Sequence, residues 1–74
     1  MNKQDRTLIS ELVGNLDGIQ ASVQELMDAE QEKLDNIPEQ LQDGEPAEKL
    51  KENLQVLEDV LFYLDNASLE LQNL

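Results

Sequence analysis

The chain contains no cysteine and no histidine, and each absence excludes a class of site. Without cysteine there is neither a disulfide framework nor a cysteine-based zinc site, and without histidine the other usual ligand of transition metals is missing. The same absences remove the side chains that most often serve enzymes as general base and strong nucleophile. We therefore expect no catalytic residue, no metal site and no cofactor.

Basic residues are also scarce, because five lysines and arginines stand against 17 acidic residues and the formal net charge is -12. A chain this acidic repels nucleic-acid phosphates and anionic lipid head groups, so we expect no direct binding to nucleic acid or membrane. No apolar run is long enough to span a bilayer, and the N-terminal segment lacks an apolar core of signal-peptide length. We expect a cytoplasmic protein whose charge favours a basic partner.

The acidic residues are not interleaved with basic ones. Between Thr7 and Glu32 there is no lysine or arginine, and there is none from Glu52 to Leu74. One interpretation is that these solvated faces keep a small protein soluble. The other is that they form an acidic surface that imitates DNA or binds a basic partner.

Two leucine-rich heptad repeats lie on either side of a segment that contains proline and glycine. A 3.5-residue apolar repeat on both sides of one turn predicts an all-α protein, a long helical hairpin whose stripe packs on further helices. We expect hairpins to pair into a four-helix-bundle-like or coiled-coil homo-oligomer, and we favour a homodimer over a higher oligomer. The predicted oligomer seam comprises Ile9, Leu16 and Val23 at heptad position a and Leu12, Ile19 and Leu26 at position d, followed by Leu54 and Leu61 at a and Leu50, Leu57, Leu64 and Leu71 at d.

The hairpin is predicted to be a single domain over residues 1–74. The first helix should run from about residue 5, capped by the Asp5 carboxylate, to about 35, because Pro38 excludes helical backbone at the residue before it. The connection over 36–45 should fold Ile37 and Leu41 over the end of the bundle. The second helix should run over about 46–73, with Pro46 in its first turn.

Two irregularities interrupt the first heptad. Near the turn the apolar stripe shifts to Met27 and Leu34, which predicts a four-residue stutter in the repeat. Glu30 falls on this stripe, so we expect it to face solvent or to pair across the helices. Gly14 and Gly18 each weaken the helix by ~1 kcal/mol relative to alanine. They are either tolerated surface glycines or the site of a close helix crossing.

The second helix carries more apolar surface than one seam requires. Its outward positions include the only two aromatic residues of the chain, Phe62 and Tyr63. This surplus predicts either further homo-oligomer packing or a patch that binds a different partner. The candidate partner patch comprises Val56, Phe62, Tyr63 and Leu69.

The central stretch Asp28-Ala29-Glu30-Gln31-Glu32-Lys33-Leu34-Asp35-Asn36-Ile37-Pro38-Glu39-Gln40-Leu41-Gln42 carries a family resemblance. It resembles the D-N-x-P-E-x-L-Q segment of small acidic helical proteins encoded by phages and prophages of Gram-positive bacteria. Those proteins have an aromatic residue where this chain has Leu34. Most have no assigned function, so no site residues carry over. The resemblance implies a phage setting, in which small acidic proteins bind and block host factors.

Three hypotheses of function follow. The first is a non-enzymatic, phage-encoded interaction protein, an acidic helical oligomer that binds and inhibits or sequesters a host factor, for example in anti-defence. The second is a structural or scaffolding accessory of the phage. The third is a sponge for a small nucleotide signal, which needs cationic residues in its pocket. The cationic residues available are Lys3, Arg6, Lys33, Lys49 and Lys51.

Overall fold

The computed structural model describes every residue from Met1 to Leu74, and it consists of two long helices packed side by side. Helix α1 spans Lys3–Asp35 and helix α2 spans Glu45–Gln72; a short 3-10 turn, Glu39–Leu41, lies between them. The two helices pack along their lengths and form a rod 59 Å long and 15 Å wide between Cα extremes. The predicted all-α helical hairpin is confirmed.

Helix α1 begins two residues earlier than predicted, because Asn2 rather than Asp5 is its cap. The Asp5 amide donates a hydrogen bond to Asn2 Oδ1 at 2.8 Å, and the Asn2 amide donates to Asp5 Oδ2 at 3.3 Å. This reciprocal arrangement is a capping box, which satisfies two amides that have no partner within the helix. The prediction that Asp5 caps the helix was therefore wrong, although its carboxylate does serve the same helix end.

The connection is held by side chains that bond to its backbone. Gln42 donates to the Ile37 carbonyl at 3.2 Å, and Lys51 of α2 donates to the Gln42 carbonyl at 3.1 Å. Ile37 is half-buried, as predicted, but Leu41 is 57% exposed and does not cover the end of the hairpin. Gly44 precedes α2, and a Cβ at this position would lie only 3.1 Å from the Leu41 carbonyl oxygen.

The residues through which the two helices pack against each other form the inner seam of the hairpin. In α2 these are the predicted heptad positions a and d, but in α1 they are positions a and e. The inner seam comprises Ile9, Val13, Leu16, Gln20, Val23, Met27, Glu30 and Leu34 of α1, and Ala47, Leu50, Leu54, Leu57, Leu61, Leu64, Ser68 and Leu71 of α2.

Three residues of the predicted seam therefore lie outside the hairpin's own packing. Leu12, Ile19 and Leu26, the d positions of α1, are 40%, 49% and 57% exposed. The inner seam of α1 instead advances by alternating steps of four and three residues from Ile9 to Leu34. The predicted stutter is absent, because one regular repeat, offset from the predicted one, runs through the whole helix.

The core of this hairpin is thin. Of 74 residues only Ala47, beside the connection, and Ser68, near the open end, are buried. The seam leucines are half-buried, because each helix covers only one side of its neighbour. Helices gain most of their stability from burying an apolar face against other elements, so this packing leaves a large part of that gain unused.

Candidate interaction surface

One long side of the hairpin carries no charge along its central part. On α1 it consists of the d and g positions, and on α2 of the c and g positions. We call this side the uncharged face; it comprises Leu8, Leu12, Asn15, Ile19, Ser22, Leu26 and Ala29 of α1, and Asn53, Val56, Val60, Tyr63 and Ala67 of α2. Lys33 and Lys49 lie beyond it at the turn end, and Glu70 lies beyond it at the open end.

The two halves of the uncharged face lie on the same side of the hairpin. Residues turn by about 100° per position around a helix, and the two stripes are displaced by similar angles from the inner seam. The contacts agree with this geometry, because Leu26 of α1 and Val56 of α2 line one groove together with Leu57 and the Glu30–Asn53 pair. The two stripes therefore form one continuous surface that crosses both helices.

Large apolar side chains of this surface are open to solvent. Leu26 is 57% exposed, Val56 60% and Tyr63 67%. Small monomeric proteins rarely leave a contiguous apolar surface of several hundred Å² uncovered, and larger patches mark interaction sites. The uncharged face is therefore the strongest candidate for an interaction surface on this molecule.

A shallow groove runs along the α1 half of the uncharged face. A Cβ at Gly14 or Gly18 would meet no atom within 4 Å beyond the adjacent residues and the backbone of its own helix, so the glycines leave a depression beside the larger Ile19 and Leu26. We call it the glycine groove; it is lined by Gly14, Asn15, Gly18, Ile19, Ser22, Val23 and Leu26.

The predicted partner patch is divided between two sides of α2. Phe62 and Tyr63 touch edge to face, with ring centroids 5.8 Å apart, and both are more than 60% exposed. Because adjacent residues are about 100° apart around the helix, Tyr63 leans towards the uncharged face with Val56, and Phe62 leans away with Leu69. We call Phe62 and Leu69 the far-side pair. The sequence pattern placed all four together because it did not distinguish the two flanks.

A polar cluster crosses the inner seam near the turn. Asn53 Nδ2 donates to Glu30 Oε2 and Lys33 Nζ donates to Glu30 Oε1, both at 2.9 Å, and the Glu30 side chain is only 16% exposed. The hydrogen bond from Asn53 and then that from Lys33 lower the pKa of Glu30, against an opposing effect of burial. The expected pairing of Glu30 across the helices is thus observed, and it links specific positions of α1 and α2.

The cations near the turn are already engaged by carboxylates. Lys33 lies 2.9 Å from Glu30, Lys51 lies 3.6 Å from Glu48, and Lys49 lies 3.9 Å from Glu52. This leaves Lys3 and Arg6, both near the open end, with no carboxylate within 4.0 Å. Within one copy of the hairpin, the five cationic residues therefore do not converge on one pocket.

Two side-chain hydroxyls are hydrogen-bonded within their own helices. Thr7 Oγ1 donates to the Lys3 carbonyl at 3.0 Å, and Ser68 Oγ accepts from Gln72 Nε2 at 3.1 Å, so neither hydroxyl contacts a base. No three acidic side chains come close enough together to form a metal site. Neither helix contains an apolar stretch that could cross a bilayer.

Fold and surface together define a class, an acidic all-α helical hairpin with one uncharged face. No protein-family model, curated protein or solved structure matches the chain.

Proposed function

We propose that this chain is a non-enzymatic interaction protein, an acidic helical homo-oligomer that binds a basic protein of a bacterial host cell and inhibits or sequesters it. One observation carries the proposal: the hairpin buries only two residues and leaves eleven large apolar side chains exposed. A surface of this kind becomes stable when another protein covers it.

The charge of the chain supports a basic protein as the second partner. Away from the turn end, where Lys51 lies, the sides of α1 and α2 opposite the uncharged face carry acidic residues with no interleaved lysine, including Asp17 and Glu25 on α1 and Asp59 on α2. Complementary potentials accelerate association and exclude partners of the same sign. The resemblance of the central segment to small acidic phage proteins supports a host cell as the setting.

Affinity capture from a Gram-positive lysate, followed by mass spectrometry, tests the proposal. We expect one or a few basic proteins to be retained at low salt and released as the ionic strength rises, because surface charges act over roughly 8 to 10 Å at physiological salt. The variant D17N/E25Q should slow association. E48Q/E52Q is the matched control, since it removes two acids that already lie near lysines.

Two results would contradict this function. One is the absence of any discrete retained protein. The other is capture that is equally strong for the wild type and for D17N/E25Q at every salt concentration, because acidic faces that serve only solubility predict that indifference. With such an outcome, detection of the chain in purified virions would favour the structural accessory instead.

A further inference from the structure

We propose that the uncharged face binds a second copy of this chain, with Tyr63 of each copy packed in the glycine groove of the other. The inference rests on the self-association proposed above and specifies its surface and orientation. In the resulting four-helix dimer the two-fold axis runs along the hairpins, so both turns lie at the same end.

Charge identifies the occupant of this face as another copy. Two chains of net charge -12 repel each other, and that repulsion is weakest where neither surface carries an acid. The uncharged face is such a surface, because it has no charged residue over 8–29 on α1 or over 53–67 on α2. A basic partner has the opposite preference and gains more from the acidic sides. Docking through the uncharged face therefore keeps the acids of both copies outward.

The broad side of the hairpin, with its polar ends included, offers the area of a stable dimer interface. The broad side of the hairpin measures 59 by 15 Å between Cα extremes, a footprint of about 900 Å² per copy. Specific stable interfaces bury roughly 800 Å² per partner. At 1.5 Å per residue the uncharged stretch is ~32 Å long on α1 and ~21 Å long on α2, so it occupies the central part of the 59 Å rod. The apolar centre is thus flanked by polar ends, as in most interfaces.

The shape of the face fixes the orientation. The helices are antiparallel, and Asn53 of α2 is hydrogen-bonded to Glu30 of α1. A residue ten positions after Asn53 is therefore level with the residue ten positions before Glu30. Tyr63 therefore lies level with Gln20, between the heights of Gly18 and Ser22 in the glycine groove. A two-fold axis along the rod places α2 of one copy over α1 of the other at the same height. The Tyr63 ring of one copy then lies in the glycine groove of the other.

Matched charge insertions test the face. L26E/V56E adds two carboxylates per chain to the uncharged face, and F62E/L69E adds two to the far-side pair at comparably exposed positions. Burying carboxylates in an apolar interface should raise the dissociation constant of the dimer at least about a hundredfold. The control should raise it less than about threefold. Equal effects of the two variants, or a larger effect of F62E/L69E, would overturn the assignment of the face.

Cysteine pairing tests the orientation without inserting any charge into the face. The chain has no cysteine of its own, so a single introduced thiol reports one position. I19C and Y63C are prepared separately, mixed, and treated with a short bis-maleimide. We expect the mixed I19C–Y63C product to predominate. Products of I19C only with I19C, and of Y63C only with Y63C, would overturn the orientation, because they indicate hairpins stacked turn against open end.

The oligomeric state of the wild type, compared with the cross-linking result, separates this inference from the function on which it rests. A monomeric wild type contradicts the proposed self-association itself. A wild-type dimer that gives no product between I19C and Y63C contradicts only the face and orientation inferred here.

Discussion

The inner seam and the uncharged face use the same kinds of residue in the same alternating steps of three and four, yet the hairpin covers only one of them. Leu57 and Leu64 of the inner seam are half-buried against α1, whereas Leu26 and Val56 of the uncharged face remain mostly exposed. The difference shows that a heptad pattern specifies that a helix face will be covered. It does not specify whether the same chain or another copy covers it.

The largest effect should come from placing a charge in the inner seam. Leu57→Asp or Leu64→Asp should unfold the hairpin, because burying an unpaired carboxylate costs several kcal/mol and the core is thin. Far-UV circular dichroism would show the loss of helix. The matched control is Val56→Asp, one position away on the uncharged face, which should weaken assembly and retain more helix. Equal loss of helix in both variants would mean that the two surfaces are not separate.

The two aromatic residues should differ in their effect on assembly. Tyr63→Ala should weaken self-association about tenfold, since truncating a buried interface aromatic typically costs more than 1 kcal/mol. Phe62→Ala should change it little, because Phe62 leans away from the uncharged face. The double variant should keep the helical circular dichroism, as both rings are exposed in the hairpin. A stronger effect of Phe62→Ala would reverse the assignment of the two sides of α2.

The two glycines should separate helix stability from assembly. Gly14→Ala and Gly18→Ala should each stabilise α1 by up to ~1 kcal/mol, since neither Cβ meets an atom within 4 Å beyond the adjacent residues and the backbone of its own helix. Gly18→Ala should also weaken dimerisation, because Gly18 lies level with the Tyr63 ring of the second copy and Gly14 does not. Thermal unfolding at several protein concentrations distinguishes the two effects. Identical behaviour of both variants would leave the glycines as tolerated surface residues.

The smallest effect concerns the polar cluster in the inner seam. The hydrogen bonds from Asn53 and Lys33 lower the pKa of Glu30, so its ionised form is favoured in the folded hairpin. A lowered carboxyl pKa stabilises the fold above the ordinary glutamate value, and this contribution is lost as the pH falls through the lowered pKa. Wild type should therefore exceed E30Q in stability at neutral pH and converge with it in acid.

Urea unfolding over a pH series measures this difference, and Asn53→Ala supplies the control. Removing the Asn53 amide should shrink the pH-dependent difference, because its hydrogen bond is the largest cause of the shift. A difference between wild type and E30Q that is constant from acid to neutral pH would contradict this role of Glu30.

Much of the fold could be predicted from the sequence. Pro38 limits the first helix and Pro46 suits the first turn of the second, and the a and d leucines of α2 identify its packed side correctly. The packed side of α1 could not be derived from its heptad register, because apolar residues occupy both its d positions, such as Leu12, and its e positions, such as Val13. Only the contact with α2 decides which of the two stripes faces inward.

The candidate surface was predicted less well for a related reason. Val56, Phe62, Tyr63 and Leu69 are all exposed, as a surplus of apolar positions suggested, but the pattern did not show that they lie on two flanks. It placed Leu12, Ile19 and Leu26 of α1 in the oligomer seam, but it missed the polar members of the same stripe, which completes the uncharged face with Val56 and Tyr63. A projection of both helices that marks charge-free positions, and not apolar ones alone, would have revealed that stripe, since Asn15 and Ser22 belong to it.

The central claim is that this hairpin is completed by another copy of itself. Sedimentation equilibrium of the wild-type chain at micromolar concentration tests it most directly. We expect a mass at least twice that of the 8.4 kDa chain, with association strengthening as added salt screens the repulsion between copies. A single species of 8.4 kDa that retains its full helical content would contradict the claim.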